Sequence, residues 1–305
     1  YDNGGGIINT IDYKSLMKIS LKALMIYVVS LFLFPFGFIV LPSYFIKLGL
    51  EKDNRLALIS FGIFFVLSLV VSTPLIAIPV GLYIILVFYS ILNLLSSGFS
   101  DTQAITISFV GICVFVLLTN LLLKLNADMS IADVINVKLN DFMKVLSSVK
   151  MDEELMKSVK IMFEQSSKLI VRAVYAILGL IAFYTSVLNV YIPQKSKEHQ
   201  FHNFRIDTKF TITIVGLVLI SGIVYFVNKD LGNYLLYNLS VFGISSYLLG
   251  GIALMFSYLK SLSTPFKVLT VLVSVAIQPF IYILAFLGAL NSFKDLRKKE
   301  NNERA

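Results

Sequence analysis

Long stretches without a charged residue constrain this chain more than any other feature. A helix that spans the hydrocarbon core of a bilayer needs about 20 predominantly apolar residues with few or no charges. Seven stretches lack Asp, Glu, Lys and Arg: 23–46, 56–100, 102–123, 173–194, 210–228, 231–259 and 268–293. Hydrophobic residues make up 57% of the chain and charged residues 14%, against about 45–50% and about 25% in soluble domains. The sequence therefore predicts a polytopic membrane protein, and it excludes a water-soluble enzyme, a disordered chain and a disulfide scaffold.

The second stretch is too long for one helix. It covers 45 residues, and Ser72-Thr73-Pro74 interrupts it in the middle. Proline removes a backbone donor and clashes with the preceding turn, so we predict a tight hairpin there, with a re-entrant pair over 56–97 as the alternative. The fold class is thus an all-α bundle of about eight transmembrane helices. The predicted spans are 23–46, 56–72, 75–97, 103–123, 171–192, 210–228, 232–258 and 268–291.

The segment 124–172 is the only long polar part of the sequence, and its apolar residues recur at helical spacing. Ser130 followed by Asp133 resembles a capping box, and a second helix is predicted to start at Asp152. The apolar stripe consists of Ile131, Val134, Ile135, Phe142, Val145, Leu146, Val149, Leu155, Met156, Val159, Met162 and Phe163. We predict an amphipathic helical hairpin that lies on the membrane, and a docking surface for a cytoplasmic partner is the alternative.

The distribution of basic residues predicts the topology. With eight spans, one side carries 17 Lys and Arg and the other side carries 9. The positive-inside rule then places both termini and the 124–172 segment in the cytoplasm. The predicted organisation is an N-terminal membrane half over 1–128, a cytoplasmic amphipathic segment over 129–170, and a C-terminal membrane half with a basic tail over 171–305.

Residues that carry catalysis or bind metals are scarce. None of the predicted spans contains Asp, Glu or His, which argues against a proton relay. His199 and His202 stand beside Glu198, but a zinc site needs three or four ligands, so a solvated loop is the better interpretation. The single cysteine, Cys113, lies in an apolar run without a histidine. We therefore expect no enzymatic activity, no cofactor and no metal. The net charge of +8 is dispersed among short loops, which suits lipid headgroups and does not predict nucleic-acid binding.

Uncharged amides are the candidate ligand-binding residues. Gln278, Asn238 and Asn189 lie within predicted spans, where an amide seeks a partner across a helix interface. Pro279 follows Gln278 directly, so a kinked helix presents an amide together with freed backbone groups. A packing kink is the simpler interpretation of this pair, and a cavity lining is the functional one.

A family resemblance supports the same organisation. Four spans, the segment Leu125-Asn126-Ala127-Asp128, an amphipathic region and four further spans resemble the YybS-like family of bacterial membrane proteins. Gln278-Pro279 and the ending Leu287-Gly288-Ala289-Leu290-Asn291-Ser292-Phe293 are similar to the family's proline-broken last helix and its tail. The resemblance implies an inner-membrane protein without a defined activity. It also implies a relation, at the level of the fold, to the substrate-binding components of energy-coupling-factor vitamin transporters, and it carries over no site residue.

These observations lead to one prediction of function and one alternative. We predict a non-enzymatic membrane module that binds a small metabolite or a partner, with uptake as one use of such binding if an external energy source exists. The alternative is a membrane scaffold in the cell-envelope or division machinery. The expected partners are the lipid bilayer, a membrane or cytoplasmic protein that contacts 129–170, and a small-molecule ligand.

Overall fold

The computed structural model describes residues 13–32, 36–147, 152–194, 200–259 and 261–297. These ranges are helical with short connections, and no strand occurs in them. A 3-10 helix covers Phe201–Asn203. The helices are α1 Tyr13–Phe32, α2 Phe36–Glu51, α3 Asn54–Val71, α4 Pro74–Ser96, α5 Asp101–Ala127, α6 Ile131–Ser147, α7 Glu153–Arg172, α8 Val174–Tyr191, α9 Thr208–Val227, α10 Lys229–Tyr258, α11 Thr264–Ala276 and α12 Gln278–Phe293. The predicted all-α membrane bundle is confirmed.

Six helices in the described part of the chain are long and apolar enough to cross a bilayer: α3, α4, α5, α8, α9 and α10. They match six of the predicted spans. The break between α3 and α4 lies at the predicted place, because Ser72 caps α3 and Pro74 begins α4. A proline at the first position of a helix loses no intrahelical hydrogen bond, so α4 can start there. Within the described residues six helices qualify as spans, or seven if α11 and α12 form one broken span, and the first and last predicted spans each fall on two helices.

The first predicted span, 23–46, is wrong. Helices α1 and α2 run antiparallel in this region, because the Tyr44 hydroxyl donates to the Ile19 carbonyl at 3.1 Å and a Cβ on Gly37 would meet Ser30. The prediction used only the length of the stretch without charged residues. That stretch also contains Pro35, and proline is a residue type that interrupts helices.

The last predicted span, 268–291, is bent by 111° between α11 and α12, as a broken span or a re-entrant loop. Ile277 is extended, and Pro279 lies at the start of α12. Helix α12 packs closely on α10 through two glycines. A Cβ on Gly251 would meet the backbone of Leu284, and a Cβ on Gly288 would meet the backbone of Tyr247. The predicted kink at Gln278-Pro279 is therefore present, as a change of direction between two helices.

The chain divides into two compact units. One comprises Tyr1–Phe109 with Tyr184–His199, and the other Val110–Phe183 with Gln200–Ala305. The core of the first unit is aromatic: Phe45, Phe61 and Phe88 have ring centroids 5.3 to 5.6 Å apart. The predicted division at 128 and 170 follows the order of the sequence and stays a prediction.

Within the second unit, the beginning and the end of α10 contact different parts of the chain. Asn238, near its beginning, bonds to Arg172 at the end of α7, whereas the Tyr258 hydroxyl at its end donates to the Leu296 carbonyl. The 20 residues from 238 to 258 rise about 30 Å, the thickness of the hydrocarbon core. Arg297 also donates to the Asn203 carbonyl at 2.8 Å, next to the start of α9.

The pair α11–α12 therefore starts and finishes at the same end of α10. It follows that α7 and the chain up to Arg297 lie at opposite ends of a helix long enough to span. This arrangement differs from the predicted topology, in which 124–172 and the C-terminal tail share one side. The difference arises because the prediction counted 268–291 as a full crossing.

Candidate ligand-binding groove

Helices α6 and α7 form the amphipathic hairpin that the sequence predicts. The Ser130 N–H and hydroxyl donate to the Asp133 carboxylate at 2.8 and 2.5 Å, and the Asp133 N–H donates back to the Ser130 hydroxyl at 3.2 Å. These hydrogen bonds lower the pKa of the Asp133 carboxyl. The capping box is thus confirmed, and α7 begins directly after Asp152, as predicted.

Two contacts hold the hairpin in place. At its base the Ile131 N–H donates to the Asn120 side chain of α5 at 2.9 Å. Between the helices, the rings of Phe142 and Phe163 stack with centroids 5.7 Å apart. The hairpin is therefore a packed pair of helices joined to the end of α5.

Asn238 fixes the junction between α7 and α8. Its side-chain oxygen accepts from the Ala176 N–H at 3.0 Å, and its amide donates to the carbonyls of Arg172 and Tyr234, both at 2.9 Å. The guanidinium of Arg172 lies 4.6 Å from the centre of the Tyr237 ring, a cation–π distance. Asn238 thus bonds the first turns of α10 to the point where the hairpin meets a spanning helix.

A groove of about 960 Å³ runs along one face of the hairpin, a size that suits a small ligand. It is lined by Ala132, Asn136, Asn140, Met143, Lys144, Ser147, Lys160, Phe163, Glu164, Ser167, Lys168, Val171, Arg172 and Tyr234. Four of these residues are cationic and one is anionic, so the lining carries a net charge of +3 by formal count. The groove therefore attracts anions.

Most of this positive charge is uncompensated. Lys144 pairs with Asp141 at 3.3 Å on the exposed surface. Lys160, Lys168 and Arg172 form no ion pair with any residue in the described ranges. Glu164 lies four residues from both Lys160 and Lys168 but within ion-pair distance of neither, so these charges keep most of their attraction for a ligand.

The three predicted site residues lie in different places. Asn238 does not line the groove, but its amide bonds the carbonyls of two lining residues, Arg172 and Tyr234. Asn189 is buried in the other compact unit, where its amide donates to the carbonyls of Ile39 at 2.6 Å and Thr185 at 2.8 Å. Its side-chain oxygen has no partner among the described residues. Gln278 is exposed at the start of α12. A role of these amides in ligand binding stays a prediction.

Sequence reasoning missed the cations of the groove because it used Lys and Arg only as markers of topology. A signal was present. Lys160, Glu164, Lys168 and Arg172 follow one another at four-residue spacing, so they lie on one face of α7.

Of the two predicted loop histidines, His202 does not line this groove. His202 lies in the 3-10 helix, whereas Glu198 and His199 lie outside the described residues. Within the described ranges, no group of three or more His, Cys, Asp or Glu could hold a metal ion.

The fold and the groove define a class: a polytopic α-helical membrane protein with a basic amphipathic hairpin between two sets of spanning helices. The chain belongs to the family described as predicted membrane protein (DUF2232), whose family model matches residues 21–291. No curated protein and no solved structure matched the chain.

Proposed function

We propose that the protein is a non-enzymatic membrane module that binds a small anionic ligand in the groove of the α6–α7 hairpin. The observation that carries this proposal is the row of Lys160, Lys168 and Arg172, which have no ion-pair partner among the described residues, along a cavity of about 960 Å³. A cavity of this size with a few convergent charges is typical of small-ligand sites.

The lining favours binding over catalysis. The hydroxyls of Ser147 and Ser167 donate to carbonyls of their own helices, at 2.8 Å to Met143 and 2.7 Å to Phe163. An activated serine needs a base within hydrogen-bond reach, and the groove lining contains no histidine.

We also propose where the groove lies and how its ligand could be used. The excess of Lys and Arg in the 124–172 segment supports a cytoplasmic position for the groove in a bacterial inner membrane. Uptake would need an external energy source. The chain resembles YybS-like proteins, and through them the substrate-binding components of transporters. This resemblance supports a partner protein that would supply the energy.

The experiment is native mass spectrometry of the purified full chain, with a double substitution in the groove. We expect a co-purifying anionic ligand in the wild type and its loss in Lys160→Gln/Lys168→Gln. The control is Lys157→Gln, which removes a cation from the same helix outside the groove lining. Equal ligand occupancy in all three proteins, or no anionic ligand in any of them, would contradict the proposal.

A scaffold is the second candidate, and a separate observation favours it. Apolar side chains stay exposed elsewhere on the hairpin, including Val145 at 64% and Met162 at 70% exposure. Exposed apolar residues on an amphipathic helix suit a partner helix or the membrane surface. Loss of a co-purifying protein in Val145→Ser/Met162→Ser, with the anionic ligand absent throughout, would favour the scaffold.

A further inference from the structure

The base of the groove lies where two helices enter the bilayer. Arg172 ends α7, and the candidate span α8 starts two residues later, at Val174. Tyr234 belongs to the second turn of α10, another candidate span. Spanning helices begin in the layer that the phospholipid headgroups occupy, so the base of the groove opens at the depth of the headgroups.

The cations of α7 extend from this base along the groove. Lys160 and Arg172 are 12 residues apart, about 18 Å along the helix. Glu164 is the one carboxylate in the lining, and it cannot neutralise a row of that length. The row therefore presents an excess of positive potential to the adjoining leaflet.

Arg172 is held in position for an anion. Asn238 bonds its carbonyl, and the face of Tyr237 supports its guanidinium at 4.6 Å. A cation–π contact uses the plane of the guanidinium and leaves its N–H edge available to an acceptor. The planar fork of donors matches two oxygens of a phosphate group.

Apolar side chains accompany the cations. Met143, Phe163 and Val171 line the same groove. Inorganic phosphate would leave these surfaces without an apolar partner, whereas a lipid carries both a phosphate and a glycerol with acyl chains. We infer that the ligand is an anionic phospholipid of the surrounding leaflet, with its phosphate at Lys168 and Arg172 and its glycerol region against Phe163 and Val171. This inference rests on the proposed function, because it names the ligand class of the same groove.

A tryptophan reporter tests the inference, since the chain contains no tryptophan. Met143→Trp places one in the groove of the full chain, reconstituted in phosphatidylcholine vesicles. Phosphatidylglycerol with brominated acyl chains should quench its fluorescence at about a 25-fold lower mole fraction than brominated phosphatidylcholine, about fivefold for each of Lys168 and Arg172. Lys168→Gln and Arg172→Gln should each lower this preference by about fivefold. Leu125→Trp, an exposed position near the end of α5, should be quenched equally by both lipids.

The remaining outcomes distinguish failure of this inference from failure of the proposed function. Equal quenching of Met143→Trp by the two lipids overturns the inference. Binding of inorganic phosphate or glycerol 3-phosphate without a preference for phosphatidylglycerol also overturns it, but leaves the proposed function intact. Absence of any bound anion overturns both. If Met143→Trp does not fold, native mass spectrometry of the wild type replaces it: phosphatidylglycerol adducts should outlast phosphatidylcholine adducts, and equal loss overturns the inference.

Discussion

At the scale of single residues, buried amides connect helices by bonding to backbone groups. Asn238 makes three such bonds around the α7–α8 junction, and Asn189 makes two in the other unit. The sequence predicted amides that seek partners across helices, and these contacts confirm it for Asn238 and Asn189, whereas Gln278 is exposed. It could not predict which carbonyls they bond, because this depends on the breaks at Ala173 and between α1 and α2.

The first prediction concerns Asn238. Asn238→Leu leaves the Ala176 N–H and the Arg172 carbonyl without these partners, and interhelical hydrogen bonds in membranes average about 0.6 kcal/mol each. We expect about 2 kcal/mol of destabilisation, measured as a lower Tm in detergent, together with weaker retention of the ligand of the groove. Asn93→Leu, at an exposed position of α4, is the control and should keep the wild-type Tm. A wild-type Tm for Asn238→Leu would show that this amide does not support the junction.

At the scale of helices, spacing and composition predicted which segments are helical but not always the direction in which each helix runs. Pro74 and Pro279 start helices, whereas Pro42 and Pro79 lie inside α2 and α4. All four residues have the same local chemistry. Whether a proline ends a helix depends on whether neighbouring elements satisfy the carbonyl that it frees, and packing decides this. The amphipathic hairpin was predictable, since spacing and capping both act within one turn.

The second prediction tests the contact between α10 and α12. A Cβ on Gly251 or Gly288 would meet the backbone of the facing helix, so the helices must separate. We expect Gly251→Ala and Gly288→Ala each to destabilise the protein by about 1–3 kcal/mol, seen as a lower Tm in detergent. Gly216→Ala in α9, where a Cβ meets nothing within 4 Å, should be neutral or slightly stabilising, because alanine favours helices over glycine by about 1 kcal/mol. A loss of stability in Gly216→Ala as large as in the other two would indicate a general effect of substituting glycine.

At the scale of the whole molecule, composition identifies the chain as a membrane protein. It does not determine on which side of the membrane each segment lies. Every reversal that is counted as a crossing inverts all later assignments, so the bend of 111° between α11 and α12 decides on which side Lys294 lies. The groove was likewise beyond the sequence. Its lining joins α6, α7 and Tyr234 of α10, and only the fold brings these residues together.

The last prediction tests this topology in a Cys113→Ala background, which removes the only native thiol. Gln165→Cys lies on an exposed position of α7, Lys294→Cys follows α12, and Gln200→Cys precedes the 3-10 helix. Since Arg297 and Tyr258 bond the C-terminal end to the start of α9 and the end of α10, Lys294→Cys and Gln200→Cys should react alike with an impermeant thiol reagent in intact cells. Gln165→Cys should show the opposite accessibility, because about 30 Å of α10 separates the two groups. Permeabilised cells, in which all three positions should react, provide the control for reactivity. Identical behaviour of Gln165→Cys and Lys294→Cys before permeabilisation would place both positions on one side, as the sequence predicted, and would require α11 and α12 to cross the bilayer as one broken span.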